Sequence, residues 1–369
     1  MGTFETEQQA FDALKEMSQR PFILEEEVPI RCCCIMMRED YAMLLFQMHH
    51  IAGDNWSAEI IVKQAAHYYQ ELISGKKVMS PIKESYTYSD YTVWQNQLLI
   101  GEQGAKKIAF WKDYLKNPPQ YLSVPCDKKR GNAHGREGLI KSVLSPAESQ
   151  NIFAYTEQHK ISTYLFLLTV YNIILYRYTM QKDFCVGITA ANRTTEEMEQ
   201  IIGFFANTLV FRSQFEEQET FDHLIQKNKE NLNKILSNQE IPFELVVEEL
   251  HPERNAVDAP FFRQMFTVQF DSEVYDYFSD IEMRELQPEA NDAKFEFMLI
   301  VGKTKENQIS IVLEYDTNLY QKETMELFMN RYVSLISALL EKPFENIDLI
   351  SMQDEWTTEE TDDTEDYDF

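Results

Sequence analysis

At 369 residues the chain can bury one large core or two of ordinary size. Its 44% hydrophobic and 13% aromatic content is that of a globular protein and excludes a disordered one. The formal charge of −27 argues against nucleic acid and anionic membrane surfaces as partners, because phosphate binding needs clustered Lys and Arg.

The first predicted element is a short amphipathic helix in "QQAFDALKEMSQRPF", stopped by Pro21. "IRCCCIMMRE" and "YAMLLFQMHH" read as two strands joined by a polar turn at Glu39 and Asp40. After "HHIAGDN" the spacing turns helical. Ile60, Ile61, Ala65, Tyr68, Tyr69, Leu72 and Ile73 share one face, Asp54 or Asn55 can cap the start, and Gly75 ends the helix. "YSDYTVWQNQLL" and "AKKIAFWKDYLKN" give two further helices, the second stopped by Pro118 and Pro119. The Pro-, Lys- and Gly-rich stretch "PPQYLSVPCDKKRGNAHGREG" places a domain boundary there, taken as residues 1–125 against 126–348.

Beyond that boundary come a helix in "PAESQNIFAYTEQH", an apolar helix in "TYLFLLTVYNIILYRYTM", and strands in "DFCVGITAA" and "FFANTLVFRSQF". Helices follow in "TFDHLIQKNKENLNKILSNQ" and "PFELVVEEL", then strands in "RQMFTVQF", "FEFMLIVGK" and "QISIVLEYD", and a closing helix in "KETMELFMNRYVSLISALLE". Residues 349–369 contain "QDEWTTEETDDTEDYDF", which lacks apolar periodicity and reads as an acidic linker. Strands and helices mix without a regular βαβ repeat, so the fold class is α/β or α+β with layered sheets.

The cysteines are Cys32, Cys33, Cys34, Cys126 and Cys185. Three are consecutive on a predicted strand, where side chains alternate faces, so they form neither a disulfide framework nor a C-x-x-C site. That usage fits a reducing cytoplasm, and no secretory signal is visible. Asn172 and Arg177 interrupt the most apolar run below membrane-spanning length. No Walker or GxGxxG pattern exists, and "GREG" is not a phosphate loop.

"HHIAGDNWS", residues 49–57, is the stretch that carries chemistry. Read alone it is a catalytic base with its support, a pair of metal ligands, or a turn after a strand. His50 and Asp54 have the spacing of two ligands if helical, but no H-E-x-x-H or third ligand is near, so no metal is expected. A lone histidine at a strand end is more often structural than catalytic. Tyr and Phe stripes in the helices are more often core than substrate-stacking surface.

The motif resembles the HHxxxDG signature of nonribosomal peptide synthetase condensation domains. "YSDYTVWQNQ" with "FWKDYL", "NRTTEEMEQIIGFFANTLVFR", "NQEIPFELVVEELHPERN", "FFRQMFTVQF" and "LEYDTNLY" resemble the family's later motifs in order and spacing. The resemblance runs from about residue 10 to about 350. Two departures stand out. The opening segment of the N-terminal lobe is missing from the pattern, and Asn55 replaces the signature glycine. A glycine there would permit positive φ or close backbone approach, and Asn is the side chain that best tolerates the left-handed region.

What the resemblance implies is a two-lobed fold like chloramphenicol acetyltransferase, with its N-terminal lobe truncated and a channel between the lobes. Upstream and downstream carrier proteins would present phosphopantetheine thioesters at opposite mouths, and no cofactor would be bound directly. His50 would orient the acceptor amine or take its proton, while His49 would pack or hydrogen-bond locally. Asp54 would serve structure through a salt bridge to Arg193, and the Asn55 N–H could face the developing oxyanion. Gly53, Trp56, Ser57, Asn207 and Thr208 are candidate channel residues, although for Asn207 and Thr208 buried hydrogen bonding to backbone is the alternative. The linker is similar to one that leads into an adenylation domain after residue 369, and the chain is expected to be a monomer without nucleic-acid or membrane partners. Both histidines set it apart from heterocyclising relatives, and "GFFANTL" sets it apart from epimerising ones. An ester-forming acyltransferase and an inactive remnant that docks or scaffolds remain alternatives.

Overall fold

The structure, a computed structural model, describes residues 4, 6–76, 86–131, 133–252, 258–269, 277–278, 281–284, 286 and 292–352. They divide into two compact units. The first takes in the described residues within Met1–Lys107, Ala190–Asn207 and Ser272–Glu289, the second those within Ile108–Thr189, Thr208–Asp271 and Ala290–Phe369. The chain therefore returns twice to its first unit, which the single boundary at residue 125 does not anticipate. Most of the acidic linker, from residue 353 on, lies outside the described residues.

In the first unit, helix α1 (Glu7–Gln19) starts where Thr6 Oγ1 accepts the Gln9 N–H at 3.3 Å. Strands β1 (Ile30–Arg38) and β2 (Tyr41–Met48) pair antiparallel, with Ile30 opposite Met48 and Cys33 opposite Leu45. Because side chains alternate, Cys33, Ile35, Met43 and Leu45 share one face and pack on Ala10 and Leu14 of α1. Cys32, Cys34 and Leu44 point the other way and are exposed. Helix α2 (Asn55–Ile73) and helix α3 (Tyr88–Ile100) follow. A reciprocal cap between Thr87 and Asp90 opens α3 and satisfies two main-chain donors that would otherwise lack partners. Helix α4 (Glu102–Tyr114) carries the chain across the boundary between Lys107 and Ile108.

The second unit is built on a six-stranded sheet in the order β3-β8-β7-β6-β4-β5. Its strands are β3 (Glu137–Val143), β4 (Asp183–Ala190), β5 (Asn207–Gln214), β6 (Gln264–Val268), β7 (Phe297–Lys303) and β8 (Ile309–Asp316). β3 pairs with β8 and β8 with β7 antiparallel, whereas β7 with β6 and β6 with β4 run parallel. The sheet is thus mixed. Strand β3 is an element the sequence hid, because "EGLIKSV" has no continuous apolar run and follows a Gly-rich connection. Helices α5 (Pro146–Gln158), α7 (Phe221–Leu236) and α9 (Lys322–Glu341) pack on α6 (Thr163–Thr179), and α8 (Phe243–Leu250) completes the helical set of described residues. Every residue of α6 from Leu165 to Tyr176 is buried, which is why that helix is apolar all round. Arg177 lies past the buried run, where its guanidinium donates to the carbonyls of Ile347 and Ile350 at 2.6 and 2.8 Å. Among the described residues no helix is long and apolar enough to cross a membrane.

Candidate active site at the turn after strand β2

The turn between β2 and α2 is a single 3-10 turn, His50–Ala52, followed by Gly53 and the cap Asp54. The two histidines there sit in opposite hydrogen-bonding environments. His49 Nδ1 accepts the Ile51 N–H at 3.1 Å, so its proton resides on Nε2, and its ring meets Phe22 edge-on at 5.8 Å. His50 Nδ1 lies 3.0 Å from the Gly53 carbonyl. A carbonyl only accepts, so Nδ1 of His50 carries the proton and the neutral ring keeps its lone pair on Nε2. His50 is exposed, and its ring centroid stands 4.8 Å from that of Phe204.

Gly53 is buried, with φ of 177°, an extended conformation open to any residue. Space is what demands a glycine: a Cβ there would fall 2.7 Å from Met48 Cε and 2.9 Å from Ser57 Cβ. Asn55 sits at the first position of α2 and is absent from the described non-glycine residues with positive φ. The left-handed turn expected at this position is not formed, because Asp54 already ends the extended segment and the helix begins at once. The Asn55 N–H belongs to the first turn of α2, where the helical ladder offers no partner.

Asp54 organises the turn from beneath. Its Oδ1 accepts the Ser57 N–H at 2.9 Å, the Ser57 hydroxyl at 2.8 Å and Arg193 Nη2 at 3.1 Å. Its Oδ2 accepts the N–H groups of Phe205 and Ala206, each at 3.1 Å. Burial pushes this carboxyl up, but the Ser57 N–H, the Arg193 charge, the Ser57 hydroxyl and the Phe205 N–H together outweigh it and hold it below the ordinary value of 3.8. Burial also depresses Arg193 while the Asp54 charge opposes it, and a guanidinium stays protonated throughout.

Arg193 donates to the Met198 carbonyl, to Ile201 O at 2.7 Å and to Ser57 Oγ at 3.0 Å, with its guanidinium 4.1 Å from the Phe205 ring centroid. Its side chain is 1% exposed. Ser57 is fully buried, so it does not face open space. Its one hydroxyl proton is shared between Asp54 Oδ1 and Gly203 O, both 2.8 Å away, while its oxygen accepts from Gly203 N at 3.0 Å. Trp56 Nε1 donates to Glu199 O at 3.0 Å.

The structure therefore brings His49, His50, Gly53, Asp54, Asn55, Trp56, Ser57 and Arg193 into one unit. Asn207 and Thr208 open β5, and Thr208 belongs to the other unit. The residues Phe204 to Ala206, expected as the start of that strand, instead form a loop tied to Asp54. Phe204, Tyr88 and the main chain of Gly203 to Ala206 are participants that the sequence did not single out. Their signal was faint, since a main-chain donor leaves no mark in residue type. Among the described residues, no cluster of three or more His, Cys, Asp and Glu has metal-site geometry.

Comparison with known proteins adds a lineage to this geometry. A family model described as a condensation domain matches residues 2–361. The chain is 27% identical over 341 residues to gramicidin S synthase 2 of Brevibacillus brevis, covering 91% of this chain and 8% of that protein. To bacitracin synthase 2 of Bacillus licheniformis it is 31% identical over 362 residues, covering 96% of this chain and 14% of that one. The chain thus spans only a small fraction of these relatives. The crystal structure of the X-domain from teicoplanin biosynthesis superposes with a TM-score of 0.80 at 20% identity, covering 94% of this chain and 79% of that chain. The mixed α/β architecture is that of the chloramphenicol acetyltransferase-like fold.

Proposed function

The chain belongs to the condensation-domain family, and from that premise we propose that it joins a donor acyl or peptidyl thioester to the α-amine of an acceptor aminoacyl thioester. Two carrier proteins present these groups on phosphopantetheine arms, and an adenylation domain adjoins in the full synthetase. The amine nitrogen attacks the thioester carbonyl carbon, a C–N bond forms and the carbonyl electrons move to oxygen. The oxyanion then collapses, the C–S bond breaks and the thiolate takes the proton released by the amine. An α-amine has a pKa of roughly 7.7–8.0, so roughly a tenth to a sixth of it is already neutral near pH 7, and the need is for a proton acceptor once the C–N bond forms.

The opposite tautomers of the paired histidines carry this reading. Only His50 offers a bare Nε2 on an exposed ring, and the Gly53 carbonyl holds the Nδ1–H that steadies the imidazolium formed on proton transfer. The buried Asp54–Arg193 pair keeps that turn in place and takes no proton itself. The first turn of α2, beginning at the Asn55 N–H, offers donors for the oxyanion.

A mass-spectrometric transfer assay tests the proposal, with donor and acceptor carriers loaded from a small aminoacyl panel. Amide product is expected, and His50→Ala should lower its rate by about 10²–10⁴-fold. Equal rates from both proteins would remove His50 from the chemistry. Ester product from hydroxyacyl acceptors alone would move the chain to the ester-forming branch. No product from a cooperatively melting protein across the panel would favour a docking role.

A further inference from the structure

Phe204 stands out in the first unit because its main chain is pinned while its ring is left in the open. Phe204 is 41% exposed, whereas its neighbour Phe205 enters the core at 2%. Gly203 N–H donates to Ser57 Oγ at 3.0 Å, and the N–H groups of Phe205 and Ala206 donate to Asp54. The Phe204 carbonyl accepts the Tyr88 hydroxyl at 2.7 Å. Gly203 makes room for this latch: a Cβ there would lie 2.1 Å from the Tyr88 ring. Core packing does not account for so definite a placement of an exposed aromatic. What the ring does touch is His50, at a centroid distance of 4.8 Å and an interplanar angle of 59°.

A single hydrogen bond to Gly53 O, made on an exposed side chain in competition with water, is a weak hold on an imidazole. We propose that Phe204 is a positioning residue that keeps the His50 ring turned onto the Gly53 carbonyl, with Tyr88 fixing Phe204 in turn. The ring blocks the swing that would let Nδ1 leave its carbonyl, so Nε2 remains the nitrogen without a proton. This rests on reading His50 as the proton acceptor, and it adds the part of the site that selects the tautomer.

The test is nitrogen-15 NMR of histidine-labelled protein without any substrate, read beside the transfer assay. In the parent chain, His50 should show one dominant neutral tautomer, with the proton on Nδ1. Phe204→Leu should shift it toward a mixture and lower kcat by about tenfold to hundredfold, with KM and melting temperature little changed. Phe204→Tyr should retain the parent pattern, and Tyr88→Phe, which keeps the packed ring, should give an intermediate one. A parent-like tautomer in both Phe204→Leu and Tyr88→Phe overturns the inference, as does a parent chain already in a mixture. Should the parent chain transfer nothing, the function proposed above falls, and the spectra still decide the positioning role.

Discussion

Asp54 shows how one carboxylate can hold a site without entering its chemistry. Asn at this position would keep an acceptor for Ser57, but it would place an amide N–H₂ or an uncharged oxygen against the Phe205 and Ala206 donors and leave Arg193 buried without its counter-charge. Asp54→Asn is therefore expected to cost about 3–5 kcal/mol, read as a lower urea midpoint, and to lower transfer activity with it. The pH sign follows from a folded value held below 3.8. This contribution is fully present above the unfolded value and is lost as pH falls through the folded one. Part of this was legible, since an aspartate immediately before helical spacing marks a cap, and the family resemblance named Arg193. Ser57 as a buried pivot was not legible. Nor were the Phe205 and Ala206 donors, which come from 151 and 152 residues away along the chain.

Helix α6 and strand β8 each carry a polar group in a costly place. Asn172 is fully buried in α6, and neither atom of its amide finds a hydrogen-bond partner. Replacing an unpaired buried amide with an apolar group of similar size removes a penalty of about 1–3 kcal/mol, so Asn172→Leu should raise the thermal midpoint. A fall instead would mean that a buried water serves that amide. On β8, burial and the nearby Glu137 charge push Glu314 up to about 7, against the opposing pull of Lys294. The folded chain then holds this proton more tightly than the unfolded one, and stability declines as pH rises from 4.5 through 7. Glu314→Gln should escape that decline. The gain should be negligible at pH 4 and reach about 1–2 kcal/mol at pH 8, well below the ~3 kcal/mol of the full shift because the group is partly exposed. The existence of these elements was readable from periodicity and turn residues. Strand β3, which pairs Leu139 with Glu314, was not, because its burial alternates while its residue types do not follow, with Leu139 and Val143 on the exposed face.

Across the whole molecule, a charge of −27 is a standing repulsion that the fold must overcome. Screening by salt shortens its reach, so the melting temperature should rise by about 2–5 °C between about 0.02 and 0.5 M NaCl, and an unchanged or falling midpoint would count against repulsion as a net cost. The overall class was legible in the mixture of strand and helix signals. The two returns of the chain to its first unit were legible only at Arg193, which the family resemblance pairs with Asp54, and no periodicity or turn signal in residues 190–207 gave the return itself. That return has a consequence in time. Asp54 and Arg193 are 139 residues apart, and at about 5–20 residues per second a ribosome takes roughly 7–28 s to pass from one to the other. The histidine pair is translated early, yet its brace arrives only with the residues after 190. A nascent chain therefore cannot assemble this site when the histidine pair emerges, and competence waits on synthesis of the segment that carries Arg193, Phe205 and Ala206.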